Sequence, residues 1–78
     1  MKQIVKVVEY PELDVRVTYF DDGSVAGFCI SDTLLLPLTI EKWVDFTNET
    51  ADAYICYNLE HLAKFEGHNG ETVWEKKQ

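Results

Sequence analysis

Two stretches near the start of the chain have the composition of β-strands, Gln3–Tyr10 and Leu13–Phe20. Both are rich in valine and aromatic residues, and Pro11-Glu12 separates them by a step short enough for a tight turn. In the second stretch polarity alternates with the period of two that a strand imposes. It predicts an apolar side of Leu13, Val15, Val17 and Tyr19 and a polar side of Asp14, Arg16 and Thr18.

A turn and a third strand follow these two stretches. The sequence Asp21-Asp22-Gly23-Ser24 contains an Asp-Gly step, which suits a type I′ hairpin. The apolar run Val25–Ile30 then has the composition of a strand. The first thirty residues therefore predict an antiparallel three-stranded meander.

The middle of the chain changes to a helical period. Thr39 is suited to cap a helix, Glu41 lies where the helix dipole favours an anion, and Gly67 suits the end. Thr47-Asn48-Glu49-Thr50 combines poor helix formers with good caps, so residues 39–66 predict either one long helix or two consecutive helices sharing a face. The apolar stripe, which covers roughly a third of the circumference, consists of Ile40, Trp43, Val44, Thr47, Ala51, Tyr54, Ile55, Asn58, Leu62 and Phe65.

The last residues return to strand composition. His68-Asn69-Gly70 is typical of a turn, and residues 72–74 could add a short fourth strand. The pattern as a whole predicts one α+β domain over residues 1–78, with the meander packed against the amphipathic helix or helices.

The distribution of charge along the chain limits the kinds of partner that the protein can bind. The chain has 14 acidic and 7 basic residues, and all the acids lie between Val7 and Glu75. Only Arg16, Lys42 and Lys64 are basic in that span, which therefore carries 3 − 14 = −11. Such a field repels nucleic acid and anionic membranes and attracts basic proteins. The remaining basic residues are Lys2, Lys6, Lys76 and Lys77.

The residues that could support chemistry do not form a catalytic or metal-binding pattern. Cys56 and His61 are five positions apart, which places them on different sides of a helix, and no Cys-x-x-Cys pair exists for a zinc site with His68. The sequence predicts no enzyme, no metal and no cofactor. With no apolar run of roughly 18 residues and no secretory leader, it predicts a cytoplasmic protein with reduced Cys29 and Cys56 in or near the core.

The acidic residues of the helical region gather on one side. At about 100° per residue they lie within roughly a third of a turn, beside or opposite the apolar stripe. Acids of the meander ends could extend this surface. The predicted partner-binding residues are Glu41, Asp45, Glu49, Asp52 and Glu60 on the helical region, with Asp21, Asp22 and Asp32 as secondary members. The alternative interpretation is an ordinary solvated helix face.

In length, charge and acidic helix the chain resembles the small phage-encoded inhibitors of bacterial defence, including anti-CRISPR, anti-restriction and other DNA-mimic proteins. It is also similar in these respects to nuclease immunity proteins and antitoxins. A shorter likeness is Leu38-Thr39-Ile40-Glu41-Lys42-Trp43, which resembles the sheet-to-helix entry of PC4-like single-strand binders. Those binders need a positively charged sheet, and only Lys2, Lys6 and Arg16 lie on the first two strands.

The resulting hypothesis is a non-enzymatic inhibitor whose acidic surface occupies the nucleic-acid-binding site of a basic protein, in the host cytoplasm if phage-encoded. The resemblance also allows a nuclease immunity protein or an antitoxin. A third reading is a structural or adaptor module, with a homodimer joined through a strand edge or through the aromatic residues Tyr57 and Trp74.

Overall fold

The structure, a computed structural model, describes residues 2–33, 39–50, 65 and 67–77, except the side chains of residues 32 and 33. Within these ranges it is an α+β fold with one antiparallel sheet of strand order β3-β2-β1-β4. The three-stranded meander is confirmed, and the predicted short strand near the end pairs with β1. The strands are β1 (Ile4–Tyr10), β2 (Val15–Phe20), β3 (Val25–Cys29) and β4 (Glu71–Glu75), and the helices are α1 (Ile30–Thr33) and α2 (Ile40–Glu49).

The turn between β2 and β3 is a hairpin of a different type from the one predicted. A type I′ turn needs a positive φ at both central residues, but in this turn only Gly23 has one, at 87°. The Gly23 amide donates to the Phe20 carbonyl at 3.1 Å, and the Phe20 amide donates to the Ser24 carbonyl at 2.9 Å. This is the three-residue loop in which Gly follows a tight turn in the left-handed conformation.

The connection between β1 and β2 is longer than a two-residue turn because Pro11–Leu13 form a 3-10 turn. Asp14 follows it with φ of 52°. The Asp14 carboxylate accepts hydrogen bonds from the amide and hydroxyl of Ser31, and its carbonyl accepts one from the Ile30 amide at 3.1 Å. Because these bonds start α1 at Ile30, the third strand ends one residue earlier than predicted.

Helix α2 begins where the sequence placed its cap. The Lys42 amide donates to the Thr39 hydroxyl at 3.2 Å, which satisfies one of the free amides of the first turn. The helix ends at Glu49, with Thr50 as its C-cap, inside the four-residue segment that predicted a break. The rest of the predicted helical region, 51–64 and 66, lies outside the described residues.

Helix α2 packs on the side of the sheet that the alternation of β2 had marked as polar. Its buried residues Trp43 and Val44 join Ile4, Val7, Phe20 and Ala26 in the core. The cross-strand pairs Ile4–Phe20 and Val7–Thr18 place Thr18 on this side, and Arg16 follows two residues earlier. The alternation of β2 is present, but α2 covers the side that carries Arg16 and Thr18. On the other side Val17 is buried, while Leu13, which precedes β2, is 40% exposed.

Arg16 can be buried under α2 because a carboxylate neutralises its charge and an aromatic ring packs against its planar guanidinium group. Its Nε and Nη2 atoms donate to Glu9 Oε2 at 2.8 and 2.6 Å across the β1–β2 pair. The guanidinium carbon lies 4.5 Å from the centre of the Trp43 ring, which in turn meets Phe28 edge to face at 5.3 Å. A buried charge requires such partners, and here a strand neighbour and an aromatic face supply them.

Thr18 gives a prediction about stability. It is fully buried, and its hydroxyl oxygen is the one buried side-chain polar atom of the described residues that has no hydrogen-bond partner. Removing an unpaired buried hydroxyl while keeping the shape is favourable. We expect Thr18→Val to raise the free energy of unfolding by about 1 kcal/mol, measured by urea denaturation. Thr18→Ser, which keeps the hydroxyl and loses the methyl group, should destabilise, and equal losses in both variants would contradict the assignment.

The opposite side of the sheet is covered near the β1–β2 connection by residues that follow α2. The Phe65 ring stacks on Tyr10 with 4.9 Å between centroids. Gly70 lies so close to the Tyr10 ring that an added Cβ would be 2.7 Å from it. His68 Nδ1 lies 3.2 Å from Glu12 Oε2, which ties the same segment to the 3-10 turn.

Strand β4 forms one edge of the sheet. Its pairing with β1 shifts register between Val7 and Val8, which leaves Val73 as the extra residue of a bulge. Bulges and terminal charges such as those of Glu71 and Glu75 discourage pairing with another edge. Trp74, proposed from the sequence as an exposed contact, is instead half-buried against the core.

Candidate protein-binding surface

Three of the predicted partner-binding residues lie together on α2. Glu41, Asp45 and Glu49, called here the acidic face, are all exposed. Spaced at i, i+4 and i+8, they cover about 80° of the helix circumference and about 12 Å of its length. Since α2 buries its opposite side, these carboxylates form one continuous stretch of solvent-facing negative charge.

No described cation neutralises the acidic face. The described part of the chain holds two ion pairs, Glu9–Arg16 and Glu12–His68, and neither involves α2. Lys42 is exposed on α2 but forms no ion pair within the described ranges. The acids at i and i+4 therefore repel one another in the free protein, at a cost of roughly 0.2–0.5 kcal/mol per pair.

Asp21 and Asp22 are exposed, but their carboxylates already have partners in the hairpin turn. Asp21 accepts from the Gln3 amide at 3.1 Å, and Asp22 accepts from the Ser24 amide at 2.9 Å and from its hydroxyl. The Ser24 hydroxyl and then its amide hold the pKa of Asp22 below its usual value, with the charge of Lys2 as a smaller contribution. Both acids therefore stabilise the turn through hydrogen bonds, and Asp22 keeps its charge at neutral pH.

The turn lies at the same end of the molecule as the last turn of α2. Gln3 and Ile4 are neighbours in the chain, and Gln3 bonds to Asp21 while the Ile4 amide donates to Asn48 Oδ1 at 2.8 Å. Since Glu49 follows Asn48, the turn acids and the end of the acidic face flank the start of β1. Lys2 also lies there, with its Nζ 5.0 Å from the Phe20 ring centre, so this end has mixed charge.

The remaining predicted site residues fall where the structure gives no side-chain position. Asp32 belongs to α1, but its side chain is outside the described set, and Asp52 and Glu60 lie in the range 51–64. The acidic face is therefore the part of the predicted surface whose geometry is known.

Phe46 is a surface residue that the sequence reasoning missed. It is 51% exposed and lies on α2 about 60° from Glu49 around the helix axis. The sequence did indicate its exposure, because Phe46 falls outside the apolar stripe of the helical region. An exposed aromatic residue beside charged groups is typical of protein contacts. Tyr57, the other aromatic candidate, lies outside the described residues.

Other sites receive no support in the described ranges. Cys29 is exposed at the end of β3, which corrects the prediction of a thiol in or near the core, and Cys56 is not described. No group of three or more His, Cys, Asp or Glu side chains in the described ranges could hold a metal ion. Among the same residues, no helix has the length and apolar character required to cross a bilayer.

Comparison with known proteins gives no family assignment. No protein-family model matches the chain, and neither a characterised protein nor a solved structure is significantly similar to it. The function is therefore inferred from the surface of the described residues.

Proposed function

We propose that this protein is a non-enzymatic inhibitor that binds a basic, nucleic-acid-handling protein through the acidic face of α2. One observation carries the proposal: Glu41, Asp45 and Glu49 are exposed on one side of a packed helix, and no described cation pairs with them. A surface lined with lysine and arginine for phosphate groups would supply the cations that these carboxylates lack.

The packing of α2 favours rigid presentation of the charges. Trp43 and Val44 anchor the helix in the core, and Asn48 bonds to the start of β1. Carboxylates on a fixed helix need little ordering on binding, which lowers the entropic cost of association. Phe46 adds an apolar contact beside the charges. Long-range attraction to a positive surface would also accelerate association and make it sensitive to salt.

The internal pairing of Arg16 supports the same function. Because Glu9 and Trp43 hold Arg16 beneath α2, this cation is not at the surface to offset the acids. The leading biological role is phage-encoded inhibition of a bacterial defence protein, of the anti-CRISPR or anti-restriction kind, in the host cytoplasm. An immunity protein or antitoxin directed at a nuclease would use the same surface.

The proposal is tested by capture on the immobilised protein from a nuclease-treated bacterial lysate. At about 50 mM salt we expect retention of nucleic-acid-binding proteins that about 500 mM salt releases, because the contact is ionic. Each captured protein is then purified and offered excess double-stranded DNA. Release by DNA supports occupation of its nucleic-acid site, while simultaneous binding of DNA and inhibitor, or retention in high salt, contradicts the proposal.

A further inference from the structure

The pairing of the first and last strands places four of the seven basic residues at one end of the sheet, which also holds the turn acids Asp21 and Asp22. Strands β1 and β4 are antiparallel neighbours, so the start of one lies beside the end of the other. The Lys76 amide donates to the Val5 carbonyl at 2.9 Å, and Lys6 pairs across the strands with Glu75. Lys6 and Lys76 therefore occupy neighbouring positions, while Lys2 lies over Phe20 beside the turn acids and Lys77 follows Lys76.

A depression of about 580 Å³ opens beside this cluster, within the size range of small-ligand sites. Lys6 lies between Tyr19 on one neighbouring strand and Glu75 on the other. Since Val7 and Thr18 face α2, the adjacent Lys6 and Tyr19 face the opposite side of the sheet. The described residues that line the depression are Val5, Lys6, Tyr19, Glu75 and Lys76.

Three of the lining side chains, those of Lys6, Lys76 and Tyr19, are hydrogen-bond donors suited to an anion. Lys6 and Lys76 form no ion pair within the described ranges, although Glu75 lies between their positions. The Lys6 ammonium lies 5.7 Å from the centre of the Tyr19 ring, which holds it over the sheet. Burial, and secondarily the nearby Tyr10, raise the pKa of Tyr19, so its phenol keeps its proton at neutral pH and can donate a hydrogen bond.

We propose that this depression binds a small phosphate-bearing ligand, with Lys6 and Lys76 as the cationic donors and the Tyr19 hydroxyl as a neutral donor. Lysine ammonium groups are common phosphate ligands in proteins. A small ligand fits better than a nucleic-acid strand because the chain carries a net charge of −7, which repels an extended polyanion. The Glu75 carboxylate opposes the ligand charge and limits its affinity.

The test is isothermal titration of the full chain with pyrophosphate and, separately, with ATP in low salt. We expect saturable binding of at least one of them with one-to-one stoichiometry. Lys6→Gln and Lys76→Gln should each weaken binding about tenfold, as expected for loss of one charge-assisted contact. Glu75→Gln should tighten it severalfold. Lys42→Gln, which makes the same charge change on α2, is the matched control and should leave affinity within about twofold.

Three results would overturn the proposal. One is the absence of saturable binding by either ligand up to about 10 mM, far weaker than an ordinary ligand site. Another is a loss in Lys42→Gln equal to that in Lys6→Gln, which would mean that only net charge matters. The third is tighter binding of a single-stranded oligonucleotide or of phosphatidic acid vesicles than of either small ligand. Lys76 lies beyond β4, so its variant is informative even if Lys6→Gln does not fold.

Discussion

Reversing the three charges of the acidic face, in the variant Glu41→Lys/Asp45→Lys/Glu49→Lys, is expected to weaken binding to the captured basic partner at least about 100-fold. At each of the three sites an attractive contact is replaced by repulsion. A loss of about 1 kcal/mol of binding free energy per site is enough to reach this factor. The measurement is the dissociation constant from titration calorimetry or biosensor kinetics, at two salt concentrations.

The same variant should remain folded. All three side chains are exposed on α2. The loss of a favourable acid near the helix start is offset by a favourable lysine near its end, each effect being about 0.3–1 kcal/mol. A thermal transition within a few degrees of the original is therefore expected by circular dichroism.

A matched pair of double variants separates the acidic face from net charge. Asp45→Lys/Glu49→Lys and Glu71→Lys/Glu75→Lys each change the net charge from −7 to −7 + 4 = −3. We expect the α2 pair to lose most of the affinity and the β4 pair to lose little, because α2 is the proposed contact. Equal losses would show that the partner responds to overall charge and would remove the acidic face as the binding site.

Arg16→Ala is expected to lower the free energy of unfolding by about 3 kcal/mol. Removing one member of a buried ion pair costs about 3–5 kcal/mol, and the lower value applies because the Glu9 side chain keeps 21% of its exposure. Loss of packing on the Trp43 ring adds to the effect. Urea denaturation followed by tryptophan fluorescence measures the change.

Companion variants identify the cause of that loss. Arg16→Lys keeps the charge but not the planar group on Trp43, so an intermediate cost of about 1 kcal/mol is expected. Glu9→Leu/Arg16→Met replaces both charges with apolar groups and should recover much of the stability. If the double variant is as unstable as Arg16→Ala, the destabilisation does not come from an unpaired Glu9. Lys42→Ala, an exposed control, should stay within about 0.5 kcal/mol.

Local signals predicted the elements well. The Asp-Gly step specified a hairpin, and the poor helix formers after Phe46 marked the place where α2 ends. The type of hairpin was not predictable from Asp-Gly alone, because the three-residue loop depends on which residues of β2 and β3 pair. Thr39 and Glu41 were correctly placed at the helix start because capping depends on neighbouring backbone groups only.

The sequence was less informative about which side of each strand is covered. A period of two separates the sides of β2 but does not say which of them receives a helix. Arg16 and Thr18 were predicted on the polar side of β2, and that side faces α2, where Glu9 on β1 and Trp43 on α2 make burial of Arg16 acceptable. Such partners are distant in sequence, so local polarity could not predict them.

The sequence by itself determined the strand and helix composition, the excess of acid and the alignment of Glu41, Asp45 and Glu49, because a helix fixes which residues share a side whatever it packs against. Only the tertiary structure decided which of the described acidic residues form ion pairs and which basic residues lie close together. It placed Arg16 beneath α2 and brought the lysines of the two chain ends together through the pairing of β1 with β4. Charge complementarity depends on distances between separate elements, and packing sets those distances.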